Sequence, residues 1–187
     1  LGYCQSDEIS LLLIDYDTFE TSAWFDNNIS KIISITSSMA SVYFNQQFSL
    51  NLLDYKIKNR ESKDRDVEYE NRLFANISSL PVFDSRAFNL SKEEVNNYFV
   101  WRQQDAIKNA IQMIGRAYFT HKELENKNGM DIIDMLDKIH INYHSYSTSE
   151  KRGTCCIKTE QGWVLDKEIP VFKDNKDYIE HLVYVGE

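Results

Sequence analysis

Cysteine is scarce in this chain and badly spaced for structural chemistry. Three occur, Cys4 and the adjacent Cys155 and Cys156. An odd set without a CxxC pair builds no disulfide framework and no thiolate zinc site, and it points to a reducing cytoplasm. The four histidines do not repair that lack. His140 and His144 are four apart, but no glutamate lies between them at the spacing of a metalloprotease helix. Apolar runs are short: none approaches the roughly 20 residues that span a bilayer, and no basic, apolar leader opens the chain. Positive charge is in deficit as well. Twenty-one Lys and Arg stand against 29 Asp and Glu, a net charge of −8, which argues against indiscriminate nucleic-acid binding. It leaves room for a local basic groove and suits a site that gathers metal cations. Glycine-rich phosphate loops are missing too. There is no GxxxxGK[ST], no Rossmann fingerprint and no G-x-S-x-G elbow, so those enzyme classes drop out.

What is present is an α+β pattern. The 187 residues, 42% hydrophobic and 27% charged, read as one globular domain over 1–187. Because the chain opens on Leu1 directly in strand-like sequence, it reads as a fragment or as the ordered part of a longer protein. Residues 1–5 and 9–16 predict a hairpin turning at Ser6-Asp7-Glu8. From Asn28 to Phe48, apolar residues recur at spacings of three and four (Ile29, Ile32, Ile33, Met39, Val42, Tyr43), the mark of an amphipathic helix. Residues 54–72 are rich in mixed charge and predict a solvated helix or excursion. A short strand is expected over 81–86. Ser91-Lys92-Glu93-Glu94 is a capping-box signal that opens a helix running to about Phe119. Thr120-His121-Lys122-Glu123 repeats the signal, and a further helix is expected from Asp131 to Ile139. Strands at Thr154–Lys158 and Trp163–Leu165, with a turn at Gln161-Gly162, precede a final short element over 177–185.

Two constellations carry chemistry. Asp7 and Glu8 sit at a tight turn with an apolar strand behind them, which is how a palm-type polymerase or cyclase presents a carboxylate to a divalent ion. Ser6 beside them can donate a hydrogen bond to a phosphate. Taken alone, this dipeptide reads first as a turn whose acids face water. The second is Trp101-Arg102-Gln103-Gln104-Asp105-Ala106. On a helix, Arg102, Asp105, Asn109, Gln112 and Arg116 share one face, opposite Phe99, Ala106, Ala110 and Met113. That face is either a solvated stripe or one wall of a polyanion site with Arg102 and Asn109 as donors and Lys108 beside them. Lys31, Lys151, Arg152 and Lys158 are further cations able to meet phosphate, Gly153 giving the backbone room to approach.

Together these segments resemble the tRNA(His) guanylyltransferase family, and more closely its guanylyltransferase-like branch of 3′–5′ RNA polymerases. Gln5-Ser6-Asp7-Glu8-Ile9-Ser10 is similar to the family's QSDEYS turn. Ser30-Lys31-Ile32 resembles the SK(I/L) of the next helix, and Phe83-Asp84-Ser85-Arg86 the FD(G/S)R segment. Trp101-Arg102-Gln103-Gln104-Asp105-Ala106 resembles the WRQxD(A/C) helix. Lys151-Arg152-Gly153 and Trp163 through Pro170 and Phe172 resemble carboxyl-terminal elements. The resemblance implies a polymerase-like palm, an antiparallel sheet packed with helices, that adds nucleotides to the 5′ end of tRNA. GTP and ATP would be substrates and two Mg²⁺ ions cofactors. By resemblance, Asp7 is a metal-binding catalytic aspartate and Glu8 its catalytic neighbour. Ser6, Lys31, Arg102 and Asn109 meet the nucleotide, and Lys108, Lys151 and Arg152 the tRNA. A homo-oligomer, a tetramer in the family, is implied too.

The departures sharpen this. The family's first metal aspartate lies in an RIDGxxF strand for which this chain has no counterpart. After Asp105-Ala106 the guanylyltransferases proper read HINNLYN, whereas this chain reads Ile107-Lys108-Asn109-Ala110, which favours the guanylyltransferase-like branch and 5′-end repair. An arginine three residues before the SK lysine is Asn28 here, implying a different handling of 5′-end activation. The competing readings are an RNA-independent palm-type nucleotide cyclase and a non-catalytic tRNA-binding module.

Overall fold

The structure, a computed structural model, describes residues 1–62 and 65–184. Contacts divide the chain into two compact units, residues 1–21 with 90–187 and residues 22–89.

In the first unit, β1 (Gly2–Gln5) and β2 (Glu8–Leu11) form the expected hairpin, with Tyr3 opposite Ser10 and Gln5 opposite Glu8. β3 (Thr154–Thr159) pairs antiparallel with β1, and β4 (Gly162–Asp166) with β3, giving the order β2-β1-β3-β4. Strand periodicity sorts the side chains. Tyr3, Ser10 and Cys155 lie in one cross-strand row and are buried on one face, while Ile9, Leu11, Trp163 and Leu165 are exposed.

The long helix α3 (Lys92–Tyr118) covers the buried face. Its stripe of Val95, Phe99 and Ala106 joins Tyr3, Cys155, Ile169, Phe172, Ile179 and Val183 in one core. Tyr3 meets Phe99 and Phe172 edge-on, the arrangement that ring quadrupoles favour. Further along α3, Ile111 joins a second core with Leu124 of α4 (His121–Leu124) and Ile132, Ile133 and Leu136 of α5 (Gly129–Lys138). α4 starts on the predicted Thr120/Glu123 capping box. α3 starts where predicted, but its box is not made. Ser91 gives no side-chain cap to the helix; the Glu93 carboxyl is instead held below its usual range by its own backbone N–H first and by the Ser91 side chain second.

Gln103 is the least expected core residue. It is 2% exposed, and its side-chain amide accepts from the Phe172 N–H and donates to the Pro170 carbonyl, both at 2.9 Å. One residue thus ties α3 to the carboxyl-terminal stretch. Tyr178, in α7 (Asp177–Glu180), anchors the same stretch by donating to Asp166 at 2.7 Å.

Burial pushes the Cys155 thiol up to about 12 from its ordinary 9.0. Tyr3 and Tyr178 move in the same direction. The unfolded chain therefore loses these protons before the folded one does, so folding stability is full below pH 9 and declines as pH rises from about 9 to 12. A chemical-denaturation midpoint measured against pH is expected to fall over that window, and to fall less steeply in Cys155→Ala.

In the second unit, α1 (Ile29–Lys58) begins on Asn28, whose side chain accepts from the Lys31 N–H at 3.1 Å. It runs ten residues beyond the expected end at Phe48, taking up the first part of the charged stretch; α2 (Val67–Ile77) takes up its last part. The strand expected over 81–86 does not form. Pro81 has no N–H to give a ladder, and its carbonyl is taken by Asn45 of α1 at 2.8 Å. The Phe83 N–H goes to the Ser41 hydroxyl at 2.8 Å and the Ser85 hydroxyl meets Thr36 at 2.7 Å. The segment is an extended strap bonded to helix side chains. Among α1 residues only Leu52 is buried, and Ile29, Met39, Val42, Tyr43, Leu50 and Ile57 remain exposed on several faces.

Candidate active site at the hairpin turn

The turn between β1 and β2 is tight enough to force Ser6 to φ 56, the left-handed region. Asp7 and Glu8 stand at its crest and are both exposed. α3 crosses beside them and grips the turn at two points. Arg102 forms an ion pair with Glu8, and the Ser6 hydroxyl meets the Met113 sulfur at 3.5 Å. Asn109 shares the helical face of Arg102 and Met113 and lies between them, so α3 presents it toward the turn; Lys108 lies one position aside and is exposed.

Arg102 is held from several sides. Its side chain is 11% exposed, its guanidinium lies 4.7 Å from the Trp101 ring centroid, and Asp105 stands 3.8 Å away. A solvated stripe does not describe it. Met113, assigned to the apolar side of α3, is instead half exposed at the turn. Behind Arg102, Ser10 and the Tyr98 hydroxyl meet at 3.2 Å, joining β2 to the same helix.

The two carboxylates of the turn therefore differ. Glu8 is engaged by Arg102. Asp7 has no hydrogen-bond or ion-pair partner among the described residues, so its oxygens are free for an external ligand. As a hard oxygen donor at a strand-connecting turn it fits a Mg²⁺ ligand. The fit covers one ligand and no more. Among the described residues no three His, Cys, Asp or Glu side chains converge to hold a metal.

The segment that carries Lys151 and Arg152 packs on the same strand, β1. α6 (Thr148–Arg152) was not anticipated, although Ser147 and Glu150 form a complete capping box, a signal visible in the sequence. At its end, Tyr3 donates its hydroxyl to the Arg152 carbonyl at 2.8 Å, and Gly153 packs against Cys4 and Gln5, just before the turn. The Arg152 guanidinium donates to the Ile169 carbonyl at 2.8 Å, and the Lys151 ammonium to the His144 carbonyl at 2.9 Å. Both cations thus tie chain segments together. Lys31 stands in the first turn of α1, in the second unit. No helix among the described residues is long and apolar enough to cross a membrane.

Comparison with known proteins converges on one family. The model of the tRNAHis guanylyltransferase family (Thg1) matches residues 1–91. A structure of a bacterial tRNA(His) guanylyltransferase (Thg1)-like protein in complex with ATP superposes with a TM-score of 0.76 and 38% identity, over 98% of this chain and 70% of that one. The same kind of protein in complex with GTP gives 0.67 and 35%, over 98% and 68%. An uncharacterized protein of Acanthamoeba polyphaga mimivirus is 29% identical over 147 residues, 73% of this chain. The chain spans about half, 47%, of the length of that curated relative. The expected architecture, an antiparallel sheet packed with helices, is the one observed. With these identities over nearly its whole length, the chain belongs to the tRNAHis guanylyltransferase family and matches structures of its Thg1-like branch.

Proposed function

We propose that this chain is the palm of a nucleotidyltransferase that adds nucleotides, GTP foremost, to the 5′ end of tRNA in the 3′–5′ direction. The 3′-hydroxyl of an incoming nucleotide gives up its proton and attacks an activated 5′ phosphate of the RNA. A 3′–5′ phosphodiester forms as the activating group leaves, AMP from an adenylylated end or pyrophosphate from a 5′ triphosphate, and the RNA lengthens at its 5′ end. One observation supports the reading above the others: Ser6-Asp7-Glu8 and the Trp101–Asp105 helix, far apart in sequence, meet through Arg102 and Glu8. The nucleotides bound in the two Thg1-like structures make ATP and GTP the first ligands to try.

In this reading Asp7 binds Mg²⁺, and Ser6 and Asn109 donate to the triphosphate from either side of the turn; Lys31 is assigned to the nucleotide by its Ser30-Lys31-Ile32 motif alone. Arg102 carries charge toward the same site, and Lys108, Lys151 and Arg152 border a path for the tRNA. Bound divalent ions supply Lewis-acid polarisation of the phosphoryl oxygens. The likeness to the Thg1-like branch favours 5′-end repair over a single untemplated guanosine on tRNA(His). A cytoplasmic setting suits the free thiols. A homo-oligomer suits α1, whose exposed apolar residues are of the sort that assembly covers.

The test is incubation of the intact protein with labelled GTP, Mg²⁺ and a tRNA lacking its 5′ nucleotide. Labelled tRNA supports the proposal. A cyclic nucleotide formed without RNA turns the reading to a cyclase, and tight tRNA binding without incorporation to a non-catalytic module.

A further inference from the structure

The turn carries two adjacent carboxylates, and the fold treats them unequally. Glu8 points to α3 and is paired with Arg102; Asp7 points outward and is paired with nothing among the described residues. Arg102 is also unlike an arginine poised for a ligand. It is 11% exposed, stacked on Trp101, and flanked by the Asp105 carboxylate at 3.8 Å as well as by Glu8. A guanidinium paired with one carboxylate and with a second 3.8 Å away meets its opposite charge inside the protein. Trp101 covers one of its faces and leaves it little freedom to swing toward a substrate.

We propose that Arg102 is a positioning residue. It binds Glu8, withdraws that carboxylate from the cation site, and leaves Asp7 as the single free acidic ligand of the turn. This deepens the proposed function and rests on it for its catalytic consequence, but the division of labour between the carboxylates is testable without turnover. Neutralising Arg102 releases Glu8 and removes a positive charge close to the turn. A divalent cation should then bind more tightly, although in a less defined place.

Binding of Mn²⁺ to the intact protein, followed by electron paramagnetic resonance, reads this directly. Arg102→Ala is expected to tighten Mn²⁺ binding roughly fivefold, most of it from the Glu8 carboxylate released to the cation and the smaller part from the lost positive charge at an exposed site. In a Glu8→Gln background the same change should matter by less than about twofold. Arg102→Lys, which keeps the charge near Glu8, should stay close to the starting protein and guards against misfolding of the alanine variant. A substitution that merely loosened the fold would weaken Mn²⁺ binding. Turnover supplies a second readout: Arg102→Ala should lower kcat while the KM for GTP moves less than about threefold. Unchanged Mn²⁺ affinity in Arg102→Ala overturns the proposal. So does a tenfold rise in the KM for GTP in both backgrounds, which would make Arg102 a direct nucleotide contact. If no variant turns over but the Mn²⁺ pattern holds, the loss falls on the nucleotidyltransferase reading alone.

Discussion

Asp7→Asn is expected to remove nearly all nucleotide addition, a loss of roughly 10³-fold in kcat, while the protein folds as before. The substitution keeps the size of the side chain and takes away only its charge, the property a divalent cation needs and a neutral amide does not replace. Structure makes the two halves of this prediction separable. Asp7 is exposed and bonds nothing among the described residues, so folding stability should change by no more than about 0.5 kcal/mol. Thermal unfolding and labelled-GTP incorporation, measured on the same preparation, check both halves. Full activity in Asp7→Asn would move the cation site off the turn altogether. Glu8→Gln makes the informative comparison. Its carboxylate is engaged by Arg102, so its loss should act through the shape of the turn and cost less, about 10- to 100-fold.

That contrast was not available from the sequence. Asp7 and Glu8 are neighbours, and nothing in the order of residues says which one meets a helix nearly a hundred positions later. The turn itself was legible, because two strand-like runs stand on either side of Ser6-Asp7-Glu8 with only a tight turn's length between them. The extent of α3 was legible for the same kind of reason, since Phe99, Ala106 and Ala110 recur at helical spacing. Failures came where a long-range bond decided the outcome. Gln103 reads as one more polar residue until Pro170 and Phe172 are brought to it. The 81–86 segment has strand-like composition, yet its hydrogen bonds go to Asn45 and Ser41 on a helix. The helix over 148–152 is a different case. Its Ser147/Glu150 box was in plain view, but five residues give no apolar period to notice. Lys151 and Arg152 suffered from that omission. Without the helix they looked like free cations before a glycine, and with it they are also bracing groups, bonded to carbonyls of neighbouring segments.

The glycine after them carries the second large effect. Gly153→Ala is expected to destabilise the first unit by about 3–5 kcal/mol. Gly153 ends α6 at φ 93 and ψ −170, a region that residues with a Cβ rarely occupy. Space is refused as firmly as conformation. A Cβ built there would lie 2.6 Å from the Cys4 carbonyl oxygen, 2.8 Å from the Tyr3 ring and 3.0 Å from the Gln5 Cβ. The first of these is backbone in the middle of β1, paired on both sides, and it has no side-chain rotation with which to yield. Relief therefore requires α6 to lift from β1. Lifting breaks the bond from the Tyr3 hydroxyl to the Arg152 carbonyl and drags at the strand that leads into Ser6 and Asp7. Denaturant unfolding should show the midpoint fall with little change in slope, the sign of lost stability rather than a changed unfolded state. Activity at a temperature where the variant is still folded supplies the finer reading. A fall in kcat beyond the unfolded fraction would mean that the seat of α6 on β1 also sets the aim of Asp7. A variant as stable as the parent would show that β1 can move away from Gly153 freely, and that the close approach is not what fixes this strand.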